Sequence, residues 1–253
     1  MGGKVECYLD IASYYCYVLF VQLQQNKELL KENGIEIEIH PYILGAINVA
    51  SNNRPPWTVP AKASYGKYPM KRIGDDLGLK DWKVPEGLME LGKTVVPIRA
   101  LTYIKSAFAP DVFTTTFAYF FHAFWTLQKF PVTVPVLKEV LTEVPLRFHP
   151  DFLNPSSVPS STSSSSDEKL FTPEQVAQIL EGINTDVIKN ELKSRVDEAL
   201  ARGAFGAPWL WVTDAQGRSE PFFGSDQWHF VYEFLGVPYQ KMQLLPPQKG
   251  SKL

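Results

Sequence analysis

Ser13 stands where an alternating run, residues 5–11, gives way to a stretch with helical spacing of its apolar residues, 14–33. A serine at such a junction caps the helix with its hydroxyl. A helix start also offers unpaired N–H groups and a partial positive charge, which favour an anion, a thiolate included. No His or Asp adjoins Ser13 as a general base, so the hydroxyl is suited to hold a bound sulfur rather than to attack. On this segment alone, capping explains the serine fully, and both readings stay open. Two further segments offer polar recognition. In Gly203-Ala204-Phe205-Gly206-Ala207-Pro208-Trp209, small residues before a proline allow close backbone approach. A cis Ala207–Pro208 bond and pairing with an extended, peptide-like ligand fit there. Phe223-Gly224-Ser225-Asp226 reads as another helix start, with Ser225 as cap. Its N–H groups suit a carboxylate and Asp226 suits an amine.

The chain has two cysteines, and no CxxC pair. Cys16 falls three residues after Ser13, where a redox protein would carry its second cysteine. Alone it cannot cycle as an internal disulfide; it is expected to be a small buried helix residue, with a mixed disulfide as its other option. Cys7 is expected in the strand core. His40, His122, His149 and His229 are scattered, so no metal site is expected.

The elements that must position these residues are legible from periodicity. Residues 5–11 alternate as a strand, 14–33 form a helix stopped by Gly34, and 35–40 alternate again. A strand–helix–strand unit of this kind makes parallel strands with a right-handed crossover. Pro55, Pro56 and Pro60 then mark a loop, and helical periodicity dominates from about 62 to 200, clearest over 92–107, 112–127 and 134–142, with another helix at about 186–202. Thr172-Pro173-Glu174-Gln175 is a capping box. Strands 209–213 and 220–223 flank an Asp214-Ala215-Gln216-Gly217 hairpin turn, and a last helix ends at Gly236. The expected class is therefore α/β: a thioredoxin-like core, βαβ then ββα, interrupted by an all-helical insertion domain. The expected boundaries are 1–60 and 203–240 for the two halves of the core and 61–202 for the insertion. A Ser-rich surface loop at 154–166 lies within the insertion, and an extended tail covers 241–253.

Charge excludes some partners. With 25 Lys+Arg against 27 Asp+Glu the net charge is −2, which gives no basic excess for nucleic acid or an anionic membrane. The apolar run 113–127 is too short to span a bilayer and reads as a buried helix. The start of the chain lacks a signal peptide's apolar run, and the scarcity of cysteine favours a reducing compartment. The chain closes on Ser251-Lys252-Leu253, which reads as a peroxisomal address taken up by an import receptor.

The ordered set of motifs resembles the kappa-class glutathione transferases, within the group that also holds bacterial disulfide-forming thioredoxin-fold proteins and hydroxychromene-carboxylate isomerases. The carriers are Asp10-Ile11-Ala12-Ser13-Tyr14-Tyr15-Cys16, Asn53-Arg54-Pro55-Pro56-Trp57-Thr58-Val59-Pro60-Ala61-Lys62, the run 203–208, and Phe223-Gly224-Ser225-Asp226. Tyr14 departs from the pattern, which has proline there. The resemblance implies a homodimeric enzyme that binds glutathione and joins its thiol to an apolar, electrophilic small molecule. A glutathione-dependent isomerase and a non-catalytic glutathione binder are the alternatives. It also implies the roles. Ser13 would hydrogen-bond the glutathione sulfur, with backbone contacts near Tyr15. Asn53 and Lys62 would hold another part of the tripeptide. Ala207, before Pro208, would pair with the cysteinyl backbone, and Ser225 and Asp226 would hold the γ-glutamyl group. Tyr14, Trp57, Tyr65, Phe117, Phe121 and Trp125 are candidates for an apolar pocket, though most of them also suit a core.

Overall fold

The computed structural model describes residues 2–148 and 168–245. His149, the Ser-rich stretch 154–166 and Ser251-Lys252-Leu253 lie outside the described residues. Strand β1 (Gly3–Leu9) leads into helix α1 (Tyr14–Glu32) and then into β2 (Ile35–Pro41), parallel to β1 with Val5 opposite Ile37 and Cys7 opposite Ile39. Late in the chain, β3 (Trp209–Asp214) runs antiparallel to β1, and β4 (Ser219–Phe223) antiparallel to β3. The sheet order is β2-β1-β3-β4. This is the βαβ and ββα arrangement expected of a thioredoxin-like core. As the central parallel strand, β1 has no solvent face, and Val5 through Leu9 are all buried. One face joins the main core with α1; the Tyr8 face is covered by Tyr42, Ile47, Val196, Ala199, Ala204 and Trp209.

The first strand ends at Leu9, two residues before the expected Ile11. The cause is Asp10, which turns the chain: its carboxylate accepts the Ala12 N–H at 3.0 Å and its carbonyl accepts the Ser13 N–H at 3.1 Å.

Between β2 and β3 the described residues are helical. They comprise α2 (Leu44–Ala50), a 3-10 turn at Pro56–Thr58, α3 (Pro60–Asp76), α4 (Leu88–Leu91), α5 (Val95–Ala107), α6 (Pro110–Trp125), α7 (Val134–Glu143), α8 (Pro173–Gly182) and α9 (Asp186–Ala201). Helix α8 carries the expected capping box at Thr172 and Gln175. Helix α6 lies against α1, with Phe117 stacked on Phe121 at 5.0 Å and Phe121 on Tyr17 at 5.2 Å, so these helices share one core with the sheet. Phe117, Phe121 and Trp125 are buried in it and line no open pocket. Tyr14 is buried as well. Its ring lies 4.5 Å from Trp82 and 5.3 Å from Trp125, and its hydroxyl donates to the Met70 carbonyl at 3.0 Å. The aromatic that stands in place of proline thus ties the first turn of α1 to α3, and the turn is intact.

The last helix, α10 (Trp228–Leu235), starts later than the sequence suggested. Gln227 is its N-cap, so Ser225 does not cap it; the turn around Gly224, at φ +97°, intervenes. No helix among the described residues is long and apolar enough to cross a membrane.

Candidate active site

Ser13 occupies the N-cap of α1 in an extended conformation, and its Oγ accepts the Cys16 N–H at 3.3 Å. The Tyr14 and Tyr15 N–H groups before it find no backbone acceptor. The turn is anchored from below by Asp10, whose fully buried carboxylate receives three donors: Ala12 N–H at 3.0 Å, Leu44 N–H at 2.8 Å and Thr94 Oγ1 at 2.8 Å. Asp10 therefore joins the end of β1 to the start of α2 and the N-cap of α5. Burial raises its pKa to about 6, although all three hydrogen bonds favour the ionised form.

The loop 203–208 comes to Ser13 from the other half of the chain. Ser13 Oγ donates to the Ala207 carbonyl at 3.2 Å, and the Ala207–Pro208 peptide bond is cis. The Ala207 N–H makes no hydrogen bond within the described residues. The loop passes close under Phe223: a Cβ on Gly206 would lie 2.8 Å from that ring and would have to push it aside. Gly224 N–H donates to the Pro208 carbonyl at 3.1 Å, and this brings the Gly224-Ser225-Asp226 turn beside the loop. A side chain at Gly224 would meet Asp226 Oδ1 at 2.7 Å, besides being strained at its positive φ. Ser225 is buried in this turn, and Asp226 is exposed. Tyr15 lies between the two regions. Burial raises its pKa, and the charge of Asp226 adds to the rise.

Asn53 follows α2. Its Nδ2 donates to the Phe205 carbonyl at 2.6 Å, and its Oδ1 accepts the Arg54 N–H at 2.8 Å. Lys62 stands in the first turn of α3, exposed and without a hydrogen bond or ion pair among the described residues. The structure thus gathers Ser13, Tyr15, Asn53, Ala207, Pro208, Ser225 and Asp226 around one helix start, whereas no contact among the described residues ties Lys62 to them. Exposed apolar side chains, Tyr65, Met89, Phe205 and Phe223, come from α3, α4, the 203–208 loop and the end of β4.

Cys16 faces the core, and burial pushes its thiol up to about 12. Cys7 is buried too. With both thiols buried, the site presents no exposed sulfur of its own among the described residues.

Sequence reasoning missed Tyr42, Asp10 and Thr94 as parts of the site. Tyr42 follows β2, is fully buried, and its hydroxyl donates to the Gly206 carbonyl. Asp10 lay inside a recognised motif, but its three donors come from positions that spacing does not reveal.

A second polar cluster lies on the Tyr8 face of the sheet: Glu6, Glu38 and His40 hold their ligand atoms within 4.8 Å of one another, and the His40 ring stacks on Tyr8. Cations already occupy it. Lys105 Nζ is 3.0 Å from Glu38 and 3.2 Å from His40 Nδ1, Lys4 is 2.6 Å from Glu38, and Arg202 is 3.2 Å from Glu6.

Comparison with known proteins follows the same lines. Residues 4–158 match the model of the DSBA-like thioredoxin domain. The chain is 25% identical over 260 residues to glutathione S-transferase kappa 1 of Caenorhabditis elegans, covering 98% of this chain and 97% of that protein. It is 24% identical over 254 residues to glutathione S-transferase kappa 1 of Homo sapiens, with the same coverage. A solved 2-hydroxychromene-2-carboxylate isomerase is similar in fold, with a TM-score of 0.64 at 15% identity over 92% of this chain and 94% of the other.

Proposed function

This chain belongs to the DSBA-like thioredoxin domain family, and on that premise we propose that it is a glutathione transferase that ionises the glutathione thiol at Ser13. The observation that carries the reading is the Ser13 hydroxyl at the start of α1, 3.2 Å from the Ala207 carbonyl and beside helix N–H groups that lack acceptors. Relatives named for kappa-class transfer, aligned over 98% of the chain, support it.

A free thiol with a pKa of about 8.5 is mostly protonated at neutral pH. Beside Ser13 the thiolate gains an O–H donor and the positive end of α1, and the proton leaves to solvent. The Ser13 hydroxyl carries one proton, so it turns from the Ala207 carbonyl to the sulfur. Its lone pair keeps the Cys16 N–H. The Ala207 N–H then pairs with the cysteinyl backbone, Ser225 and Asp226 take the γ-glutamyl end, and Lys62 takes a carboxylate. The thiolate attacks an electrophilic carbon: a C–S bond forms, and the leaving group departs with its electron pair. An apolar second substrate would rest on Tyr65, Met89, Phe205 and Phe223. A dithiol oxidoreductase needs a second reactive sulfur, and Ser13 with a core-facing Cys16 supplies none.

The test is an ultraviolet titration of the bound thiol. With the wild type, glutathione should ionise at least one pH unit below its free value. Ser13→Ala should remove that shift and lower kcat/KM about 100-fold, the scale of losing a donor to a developing anion. Glutathione that binds without ionising would refute the mechanism. Homodimer formation and peroxisomal delivery through Ser251-Lys252-Leu253 belong to the same proposal. Sedimentation checks the first; unchanged import after removal of the tripeptide would sink the second.

A further inference from the structure

Successive carbonyls of the loop before Pro208 each receive a side-chain donor, and each donor comes from a different segment. Phe205 O takes Asn53 Nδ2 at 2.6 Å, Gly206 O takes the Tyr42 hydroxyl, and Ala207 O takes Ser13 Oγ at 3.2 Å. We propose that Tyr42 and Asn53 are positioning residues for glutathione, holding this backbone so that the Ala207 N–H keeps a fixed register with the Ser13 hydroxyl. The proposal rests on the glutathione reading of the site and assigns the residues that set its peptide register.

The loop needs such support. It is built of glycine and alanine with Phe205 between them, so its unrestrained backbone would sample many conformations. Gly203 already takes a positive φ of +87°. The supports are themselves fixed. Tyr42 is fully buried with its ring 5.7 Å from that of Tyr8. Asn53 is tied by its N–H to the Asn48 carbonyl at 2.9 Å and by its Oδ1 to the Arg54 N–H. They flank α2, so the helix acts as a spacer between the two donors. The Leu44 N–H at the start of α2 is held by Asp10, the residue that also shapes the Ser13 turn. One brace therefore fixes the sulfur-binding turn and the peptide-binding loop together.

The geometry also separates the roles of the donors. When the Ser13 hydroxyl turns to a thiolate, Ala207 O loses its donor and becomes free for an N–H of the ligand. The buried Tyr42 hydroxyl has no other partner among the described residues, and Asn53 Nδ2, which also reaches Asn48 Oδ1 at 3.4 Å, holds Phe205 at the shorter distance, so both keep the loop in place during the exchange. Their contribution is the same with glutathione bound in the ground state and in the transition state, so it belongs in KM and not in kcat.

The experiment compares the full chain as wild type, Tyr42→Phe and Asn53→Ala. It reads hydrogen exchange of residues 203–209 without ligand, melting temperature, and steady-state kinetics with glutathione and an aryl halide. Each variant should exchange this segment faster and raise KM for glutathione about tenfold, as expected for one lost hydrogen bond, with kcat at saturating glutathione within about twofold. Asn53→Ala alters an exposed residue and carries the test if Tyr42→Phe folds poorly. Unchanged exchange, or a lower melting temperature with KM unchanged, overturns the proposal. A wild type that neither binds nor turns over glutathione overturns the functional reading beneath it, whereas the exchange comparison, which needs no ligand, decides separately whether Tyr42 and Asn53 hold the loop.

Discussion

Arg202 and Ala207 belong to one short connection between α9 and β3, yet the fold holds its two ends by opposite means. At the Arg202 end the anchor is ionic. The guanidinium lies 2.6 Å from the Tyr8 hydroxyl, 3.2 Å from Glu6 and 3.0 Å from Glu198, and Glu6 continues to His40 at 3.3 Å. His40 Nδ1 faces Lys105 Nζ, which can only donate, so Nδ1 accepts and the ring proton sits on Nε2 toward Glu6. At the Ala207 end the anchor is neutral: phenol, amide and hydroxyl each donate to a backbone carbonyl. The ionic end carries the desolvation penalty of several charges and depends on every partner being present. The neutral end yields less stability but leaves a hydroxyl and an N–H that a ligand can engage without confronting a fixed charge. On the proposed reading, a site that stabilises a new thiolate is better served by the second design, in which no charged side chain is among the three donors to the loop.

The largest effect should come from the ionic end. Arg202→Met leaves Glu6 and the Tyr8 hydroxyl without their guanidinium, while Glu198 keeps Arg195 at 2.9 Å. Breaking a fully buried pair costs about 3–5 kcal/mol, and for a side chain 23% exposed the expected loss is about 2–3 kcal/mol in urea unfolding at low salt. KM for glutathione should stay near the wild-type value under conditions where the variant is folded. A raised KM with stability intact would erase the distinction between the two ends. Tyr42→Phe should cost less stability, about 1–2 kcal/mol, and should show its effect in KM.

Much of this arrangement was legible in the sequence. Alternation gave β2 almost to the residue, and Ser13 was read as the start of α1 because an N-cap has a local signature. The capping box before α8 was legible for the same reason. The 203–208 loop and the Gly224-Ser225-Asp226 turn announced themselves through glycines: a Cβ at Gly206 would press on the Phe223 ring, and Gly224 takes a positive φ. What stayed hidden was non-local. Tyr42 and Gly206 lie 164 positions apart, and no spacing rule connects a buried phenol to a distant carbonyl. Helix α2 was missed because its seven residues, led by an isoleucine with no side-chain cap, are too short to show a period. Tyr14 looked like a pocket residue because aromatic content does not say which way a ring points; contact with Trp82 and Trp125 settles it inward.

The smallest effect, and the sharpest test of the contrast, is pH dependence between pH 6 and 4. His40 is held below its ordinary value of about 6.5, first by burial and then by the charge of Lys105. A group whose folded pKa is depressed contributes stability above its unfolded value and loses it as pH falls, so His40 makes the ionic end weaken on acidification. Asp10, under the neutral end, behaves in the opposite sense. Burial raises it from about 3.9 to about 6, so its contribution is complete below the unfolded value and is lost as pH rises through 6. The two slopes oppose each other, and the wild type should show a shallow net change across this window. Asp10→Asn removes the compensating slope, so melting temperature should fall more steeply from pH 6 to 4 than in the wild type. His40→Gln removes the other, and its profile should be flatter or inverted. If both variants kept the wild-type slope, neither group would titrate differently in the folded state, and the division into an ionic and a neutral anchor would have no consequence for stability in this range.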